Sequence, residues 1–349
     1  MRNTSDALRV GVVGVGSFGR NHARVYRELQ TDPSQHVQLL GVVDSDFARA
    51  GSVAREFGTS AFRSVNELIQ AGVQAASVTV PTAAHLEVAR QLMEKGIDLL
   101  MEKPLTATLA EADEMIGLAE RYGVVVQTGH LERFNPAVRA TLPLLTQPMF
   151  FEVHRLSIFT PRSLDVDVVL DLMIHDIDIA LTFAKSPVKE IRAVGLPILS
   201  RKTDIANARV EFESGCVANF TASRVSTERI RKLRFFQPRQ YVSIDYSRQD
   251  VLVLTVDDPA PDTTALDPFN PASAPASALP GITPFRPAVE PQEPLHGELS
   301  SFLRAVRERS KPEVTLEDGR RALAVAKQVV DAIAEHGRRV LPELTHAES

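Results

Sequence analysis

A glycine-rich turn between an apolar segment and a helical segment most constrains the fold of this chain. Leu8 to Val13 is rich in valine, and Arg20 to Gln30 has apolar residues at helical spacing. In a unit of strand, turn and helix, Gly14 permits the tight turn, Gly16 lets the backbone approach a pyrophosphate, and Gly19 lets the helix pack close to the strand. The sequence therefore predicts a diphosphate at the N-terminus of this helix. The predicted contacts are Gly14, Gly16, Ser17, Phe18 and Gly19.

An acidic residue follows the second strand-like segment. Val37 to Val43 ends at Asp44, about 25 residues beyond the glycine turn, where a carboxylate would accept a hydrogen bond from the ribose 2′-hydroxyl of NAD. The same carboxylate would repel the 2′-phosphate of NADP, so NAD is the predicted cofactor, although Arg49 is near enough to moderate this preference. The alternative interpretation is an ordinary turn followed by a surface acid.

Helical and strand patterns continue to alternate as far as residue 128. This alternation predicts an α/β domain over residues 1–128, with a doubly wound parallel sheet and right-handed crossovers. Capping boxes at Ser64 and Thr108 mark the starts of two helices. The predicted helices are 47–57, 65–71, 83–95 and 109–122, and the predicted strands are 75–80, 97–101 and 124–128.

Two polar segments leave the carboxyl edge of this predicted sheet, where ligands of such sheets bind. The first contains Pro81 and His85, and the second contains Glu102 and Lys103 before a proline. All four residues are predicted cofactor contacts. The proline constrains the backbone direction of Lys103, whose ammonium would then lie near the nicotinamide. A solvated lysine at a strand end is the alternative.

An almost wholly apolar segment from Asp165 to Leu181 carries a histidine and several carboxylates. As an α-helix it would place Asp171, His175 and Asp178 on one face, at positions i, i+4 and i+7. Buried ionisable groups are costly unless they are paired or used, so this face is predicted to form the floor of a site. A core histidine satisfied by neighbouring carboxylates is the alternative.

Other polar residues are candidates for contact with substrate. Arg133 and Asn135 follow the last strand of the parallel sheet, and they are equally suited to an interdomain ion pair and a helix cap. Arg162 precedes the apolar helix and is a candidate for an anionic group of the substrate. Five arginines suit either ordinary surface charge or a diphosphate: Arg224, Arg229, Arg231, Arg234 and Arg239.

After Pro187 the pattern changes from helical to alternating. Successive strands without intervening helices predict an antiparallel sheet, with one face covered by the apolar helix and the other available to another subunit. Residues 129–340 are therefore a predicted α+β domain for substrate binding and oligomerisation as a homodimer or homotetramer. Its predicted strands are 149–158, 188–198, 206–212, 216–225, 232–237, 240–246 and 251–256, followed by a proline-rich loop over 257–294 and closing helices over 295–340.

Composition excludes several functional classes. The 349 residues carry a formal net charge of −5 and no strongly basic segment, which argues against nucleic-acid binding. No segment reaches the roughly 18 uncharged apolar residues of a membrane span, and the N-terminus has no apolar signal core, so a cytoplasmic protein is expected. The single cysteine, Cys216, has no partner for a disulfide or a zinc site, and no metal is expected.

Three motifs in order carry a family resemblance that extends from about residue 8 to about residue 340. The turn from Gly14 to Gly19, Glu102-Lys103-Pro104, and Asp171-x-x-x-His175-x-x-Asp178 resemble those of the glucose–fructose oxidoreductase, inositol dehydrogenase and MocA family. The resemblance implies a nicotinamide-dependent oxidoreductase with an N-terminal Rossmann domain and a C-terminal α+β domain built on an open, mainly antiparallel sheet. It also implies that Lys103 orients substrate and cofactor, and that Asp171 and His175 complete the catalytic group.

Alcohol oxidation assigns a role to each of these side chains. His175 is the predicted base for the hydroxyl proton, because an imidazole titrates near neutral pH. Asp171 would fix its tautomer or stabilise the imidazolium, and Lys103 would stabilise the developing alkoxide. Asp178 is a candidate for binding a sugar hydroxyl or orienting His175.

Within the family, three stretches resemble the UDP-N-acetylglucosamine 3-dehydrogenases: residues 129–136, 167–178 and 241–246. Those enzymes prepare a 3-keto sugar nucleotide for transamination, as in making the 2,3-diamino sugars of lipid A. Met173 and Ile174 replace the glycine and small residue that commonly precede the histidine in the broad family, which agrees with this branch. The alternatives are another sugar or polyol dehydrogenase of the family and a non-catalytic NAD-binding regulator.

Overall fold

A six-stranded sheet organises the first of two units in the computed structural model, which describes residues 7–159, 166–256 and 281–340. The first unit combines residues 1–134 with 292–324, and the second combines 135–291 with 325–349. The sequence places the domain boundary at residue 128 and the closing helices in the second domain. The helix over 294–308 instead belongs to the first unit.

Helices and strands alternate in the first unit as predicted, with one further short strand between the predicted helices 47–57 and 65–71. As far as residue 129 they are β1 (Leu8–Val13), α1 (Ser17–Thr31), β2 (Val37–Val43), α2 (Phe47–Phe57), β3 (Ser60–Phe62), α3 (Val65–Gln70), β4 (Ala75–Val78), α4 (His85–Met93), β5 (Asp98–Glu102), α5 (Leu109–Tyr122) and β6 (Val126–Gly129). The later elements are α6 (Pro136–Thr141), β7 (Phe150–Ile158), α7 (Ile174–Ala184), β8 (Val188–Leu196), β9 (Ile205–Phe212), β10 (Val217–Ser226), β11 (Ile230–Gln237), β12 (Gln240–Asp245), β13 (Asp250–Val256), β14 (Ile282–Phe285), α8 (Pro294–Glu308) and α9 (Leu316–Val340).

The first sheet is parallel throughout, in the order β3-β2-β1-β4-β5-β6. The strand order reverses between β1 and β4, and ligands of such sheets bind at this switch point. The predicted doubly wound sheet is confirmed. The capping box at Thr108 is also confirmed, because its hydroxyl accepts a hydrogen bond from the Glu111 amide and the Glu111 carboxylate accepts one from the Thr108 amide.

Helices α1, α2 and α8 share one hydrophobic cluster with the strands of this sheet. Tyr26 of α1 and Phe302 of α8 are both fully buried in it. Burying an aromatic side chain contributes about 2–3 kcal/mol, so α8 is an integral part of the first unit although it follows β6 by more than 160 residues in the sequence.

The second unit is built on an eight-stranded sheet in the order β14-β13-β12-β11-β7-β10-β9-β8. Among the described strands of this sheet, only β7 and β10 pair in parallel, so the predicted mainly antiparallel sheet is confirmed. Helix α7 covers one face, where the ring of Phe183 lies 6.4 Å from that of Phe151 and 5.8 Å from that of Phe235. This cover agrees with the sequence prediction.

The proline-rich segment is not wholly a loop. Ile282–Phe285 forms β14, which pairs with β13 and opposes Val253 with Phe285, so the prediction of a loop over 257–294 is wrong for these residues. A four-residue edge strand next to prolines has too short a pattern to be recognised. Residues 257–280 of that segment lie outside the described residues. Across the described ranges, no helix has the length and apolar character needed to cross a membrane.

Candidate active site

The glycine turn has the backbone and the space that its sequence requires. Gly14 has φ +87°, and a Cβ there would lie 2.8 Å from the Val80 amide nitrogen. A Cβ on Gly19 would overlap the carbonyl oxygen of Gly14. By contrast, a Cβ on Gly16 would meet no heavy atom within 4 Å, so this glycine faces open space. Gly14 and Gly19 are thus required by the fold, whereas Gly16 is not.

The open space at Gly16 fits the diphosphate of NAD. Gly16 is the N-cap of the 15-residue helix α1 and makes no side-chain cap, and the first turn contains no acidic residue. The positive end of the helix dipole is therefore directed at this space without a competing carboxylate, which favours an anion. Ser17 and Phe18 are exposed in the first turn of α1, next to the same space.

Asp44 is tied to the glycine turn. Its carboxylate accepts hydrogen bonds from the Val15 amide at 2.8 Å and from the Asp46 amide at 2.9 Å. Arg49 donates to the same carboxylate at 3.2 Å, although the arginine side chain is half exposed. Asp44 is thus fixed beside the turn, and the Arg49 guanidinium is already paired with it.

His85 connects the two segments that leave the carboxyl edge of the sheet. Its side chain is buried, and its ring nitrogens lie 3.0 Å from the carbonyl oxygens of Val80 and Leu105. Pro81 is exposed in the first of these segments. His85 therefore holds the two loops at the predicted cofactor edge through backbone contacts, and its contact with the cofactor stays a prediction.

Lys103 follows β5 directly and is half-buried. Its backbone amide donates to the carboxylate of Glu102 at 3.2 Å. Glu102 is buried, and its Oε1 lies 3.3 Å from Nε2 of His22 on α1. The sequence did not identify His22, because a single histidine in an amphipathic helix gives no distinctive pattern.

Asp171 and His175 lie on either side of the junction between a π-helical turn and α7. The turn spans Val169–Met173, and the amide of Ile174 donates to the carbonyl of Val169, five residues earlier. The predicted α-helical spacing is therefore wrong over this turn, which holds more residues than an α-helical turn. Asp171 and His175 are half-buried, whereas Asp178 is only 1% exposed, so the three side chains do not share one accessible face. Single π-turns inside helices occur frequently at functional sites.

A buried ion pair below this helix was not predicted. Arg155 of β7 donates to both carboxylate oxygens of Asp176 at 2.7 and 2.8 Å, and both side chains are at most 3% exposed. The Arg155 guanidinium also lies 5.3 Å from the ring centre of Tyr246. The signal was available, because a period of two places Arg155 on the inward face with Phe151 and Val153.

Arg133 forms an ion pair and Asn135 caps a helix, which are the two structural roles that the sequence allowed as alternatives to substrate binding. Asn135 is the N-cap of α6, accepts from the Ala137 amide at 3.1 Å and donates to the Tyr246 carbonyl at 3.1 Å. Arg133 lies 3.7 Å from Asp318, and both belong to the first unit, so this ion pair is not interdomain. Contact of either residue with substrate stays a prediction.

Arg224 is not a surface arginine. It is 5% exposed, its Nε lies 2.9 Å from Asp204, and it donates to the Thr203 carbonyl at 2.9 Å. Arg234 pairs with Glu152 at 3.0 Å at the more exposed side of the sheet. The remaining candidates, Arg229, Arg231 and Arg239, are exposed, and Arg162 lies outside the described residues.

Known families match both units of the chain. Residues 8–130 match the oxidoreductase family with an NAD-binding Rossmann fold, and residues 147–239 match the GFO/IDH/MocA C-terminal domain. The UDP-N-acetylglucosamine 3-dehydrogenase of Acidithiobacillus ferrooxidans is 35% identical over 327 residues, which cover 93% of this chain and 97% of that protein. The scyllo-inositol 2-dehydrogenase (NAD(+)) of Bacillus subtilis is 27% identical over 63% of this chain and 68% of that protein.

Solved structures share the same architecture. A structure of the UDP-N-acetylglucosamine 3-dehydrogenase from Acidithiobacillus ferrooxidans has a TM-score of 0.84 at 34% identity, covering 94% of this chain and 97% of that one. A levoglucosan dehydrogenase in complex with NADH and levoglucosan has a TM-score of 0.79 at 17% identity, covering 95% and 98%, and shares the fold. The chain therefore belongs to the glucose–fructose oxidoreductase, inositol dehydrogenase and MocA family, and its Rossmann domain binds NAD.

Proposed function

We propose that the protein oxidises the 3-hydroxyl of UDP-N-acetylglucosamine with NAD and releases the 3-keto sugar nucleotide. The observation that carries this proposal is the 35% identity, over 93% of the chain, to a relative named for that activity. The chain also has Lys103, Asp171 and His175, which can supply the base and the charge stabilisation that alcohol oxidation needs. The proposed substrate contacts are Lys103, Arg133, Asn135, Asp171, His175, Asp178 and Arg162.

Three side chains perform the proposed chemistry. A ring nitrogen of His175 accepts the proton of the substrate hydroxyl, and Asp171 stabilises the resulting imidazolium. The Lys103 ammonium stabilises negative charge on the substrate oxygen as the proton leaves. Bound NAD supplies the hydride acceptor at its nicotinamide ring.

The first unit is proposed to bind and orient the cofactor. The glycine turn and the N-terminus of α1 bind the diphosphate, and Asp44 accepts from the adenosine ribose. Loops held by His85 and Glu102 set the position of Lys103 relative to the nicotinamide. The proposed cofactor contacts are Gly14, Gly16, Ser17, Phe18, Gly19, Asp44, Pro81, His85, Glu102 and Lys103.

The product chemistry indicates the next reaction. A ketone at the 3 position of a sugar nucleotide is a substrate for transamination, which gives a 3-amino sugar. The proposed reaction therefore precedes an aminotransferase in amino-sugar synthesis of the lipid A type.

A substrate panel tests this proposal. Purified protein should reduce NAD with UDP-N-acetylglucosamine, as measured by NADH absorbance, and produce a 3-keto sugar detected by mass spectrometry after reductive labelling. Absence of turnover across UDP-hexosamines, with turnover of inositols or free sugars, would favour another polyol or sugar dehydrogenase, as in the Bacillus subtilis relative.

Variants of the catalytic group provide the second test. We expect His175→Ala and Lys103→Ala each to lower kcat by about 100-fold or more, because general base and charge stabilisation contribute on that scale. The affinity for NAD should change little in His175→Ala. Glu308→Gln, an exposed change on α8, is the control. Unchanged turnover in Lys103→Ala would exclude this lysine from the catalytic group. NAD binding without turnover of any sugar or polyol would instead support a non-catalytic NAD-binding regulator.

We also propose that the chain forms a homodimer or homotetramer through the second sheet. Its face opposite α7 carries a row of aromatic rings, with Phe236 lying 5.6 Å from Phe150 and 5.2 Å from Tyr241. Phe236 is 38% exposed. Adjacent exposed aromatic side chains on a sheet are typical of subunit interfaces.

A further inference from the structure

Three buried ionisable side chains from separate elements meet within the first unit. His22 lies on α1, Glu102 at the end of β5 and Glu298 on α8. One ring nitrogen of His22 and one carboxylate oxygen from each glutamate lie within 4.8 Å of one another. His22 and Glu298 are 0% exposed, and Glu102 is 7% exposed. The proposed chemistry assigns no role to His22 or Glu298.

The polar atoms of this cluster have few partners outside it. Among the described residues, neither ring nitrogen of His22, neither carboxylate oxygen of Glu298, nor Oε1 of Glu102 has a hydrogen-bond partner. A buried polar group without a partner costs about 1–3 kcal/mol, and a charged one costs more. The three side chains are therefore left to satisfy one another, and Nε2 of His22 already lies 3.3 Å from Oε1 of Glu102.

The charges of the three side chains determine how they can satisfy one another. His22 is the basic side chain of the cluster, and its Nε2 lies at ion-pair distance, 3.3 Å, from Oε1 of Glu102. Two buried carboxylates this close cannot both be ionised. Within the described ranges, Glu102 has a hydrogen bond that the Glu298 carboxylate lacks, because its Oε2 accepts from the Lys103 amide at 3.2 Å. Burial, and then the negative charge of Glu102, raise the pKa of Glu298 well above its ordinary value of 4.5.

We propose that Glu298 carries a proton at neutral pH and shares it with Glu102 and His22, so that the cluster fixes the carboxylate bound by the Lys103 amide. Glu298 and His22 are then positioning residues for Lys103, a statement that rests on the function proposed for that lysine. Gly129 closes the other side of Glu102, since a Cβ there would lie 2.7 Å from Oε1.

The surroundings of Glu298 keep its proton in place. Its titratable neighbours are His22 and Tyr26 from α1 and Glu102 from β5. Burial raises the pKa of Tyr26, whose hydroxyl lies 2.9 Å from that of Ser77, so this phenol stays neutral. From β6, the uncharged Gln127 donates to the Glu298 carbonyl at 3.1 Å.

The pH dependence of protein stability tests whether Glu298 carries a proton. This test does not depend on the proposed substrate. The folded protein keeps a proton that the unfolded chain loses above pH 4.5, so the wild type loses stability as pH rises from about 5 towards the raised pKa of Glu298. Glu298→Gln has no such proton. The difference between its melting temperature and that of the wild type should therefore shift in favour of the variant as pH rises from 5 to 9. Glu308→Gln should keep the wild-type slope, and equal slopes in all three proteins would overturn the proposal.

Infrared spectroscopy gives a readout that needs no variant to be active. The wild type at neutral pH should show the C=O stretch of a buried carboxylic acid, and Glu298→Gln should lack it. One nitrogen and two carboxylates could also bind zinc. Metal analysis of the purified protein distinguishes a bound zinc ion from a shared proton. One equivalent of bound metal that is lost in Glu298→Gln would overturn the shared proton.

Kinetics test the positioning role. Glu298→Ala should lower kcat by about tenfold with little change in KM, because Lys103 remains present but loses its fixed position. Glu298→Gln should restore most of that loss, since an amide can replace the carboxylic acid as donor. Equal kcat in Glu298→Ala and the wild type would overturn the positioning role of Glu298. The infrared result would then decide separately whether Glu298 is protonated.

Discussion

Gly16 is the residue whose sequence signal and structural surroundings agree most directly on a function. Gly14 and Gly19 are held by close backbone contacts, whereas Gly16 faces open space. We expect Gly16→Ala to keep the melting temperature of the free protein and to raise the Kd for NAD by about tenfold or more, because the new methyl group occupies the space of the diphosphate.

Calorimetric titration with NAD checks this expectation, and Gly51→Ala is a matched control. Gly51 lies in α2, where an added Cβ also meets no heavy atom within 4 Å, but it is not part of the glycine turn. NAD affinity that is unchanged in Gly16→Ala would contradict a diphosphate at this position.

Asp44 controls the proposed preference for NAD. Its carboxylate would repel a 2′-phosphate, and it also keeps the Arg49 guanidinium paired at 3.2 Å. We expect Asp44→Asn to raise the ratio of kcat/KM for NADP to that for NAD by about tenfold, because repulsion is removed and Arg49 becomes available. Steady-state kinetics with both cofactors measure this ratio.

Asp46→Asn provides the comparison for Asp44. Asp46 is exposed and caps α2 by accepting from the amides of Ala48 and Arg49. We expect its replacement to leave the cofactor ratio unchanged. A shift of the same size in both variants would mean that local negative charge, and not the Asp44 carboxylate itself, sets the preference.

Helix α7 and strand β7 are joined by the buried pair of Arg155 and Asp176. Removing one member of a buried pair leaves an uncompensated charge and costs about 3–5 kcal/mol. We therefore expect Asp176→Ala to lower the midpoint of urea unfolding strongly. Because α7 carries His175, turnover should fall together with stability.

An exposed pair on the same strand is the control for Asp176. Glu152 of β7 pairs with Arg234 at 3.0 Å, and the two side chains are 40% and 32% exposed. Exposed pairs contribute at most about 1 kcal/mol, so Glu152→Ala should shift the midpoint only slightly. Similar losses in the two variants would argue against burial as the source of the cost.

Element boundaries in this chain follow from local chemistry where that chemistry is unambiguous. The capping box at Thr108 correctly predicted the start of a helix, and the alternating pattern after Pro187 correctly predicted strands. Both patterns involve residues that are only a few positions apart. The π-turn over Val169–Met173 was not predictable, because an apolar segment is compatible with either helical geometry and packing selects between them.

The assembly of the whole protein is predicted from the aromatic face of the second sheet. We expect light scattering with size exclusion to give the mass of a dimer or tetramer for the wild type. Phe236→Lys should lower that mass, because a charge placed in an apolar interface opposes association.

Phe47→Lys is the matched control for self-association. Phe47 has a similar exposure of 39% but lies on α2 in the first unit. We expect it to leave the mass unchanged. A monomeric wild type would contradict assembly through this sheet.

The sequence by itself determined the order of most elements, the parallel first sheet, the glycine turn and the NAD-binding family, because these depend on short spacings and on backbone limits of single residues. Tertiary structure alone decided which distant side chains meet: Arg155 with Asp176, Arg133 with Asp318, and Glu298 of α8 with His22 and Glu102. A buried charge requires a partner, but the sequence does not say which one. Chain folding selects that partner by bringing together elements that are far apart in sequence.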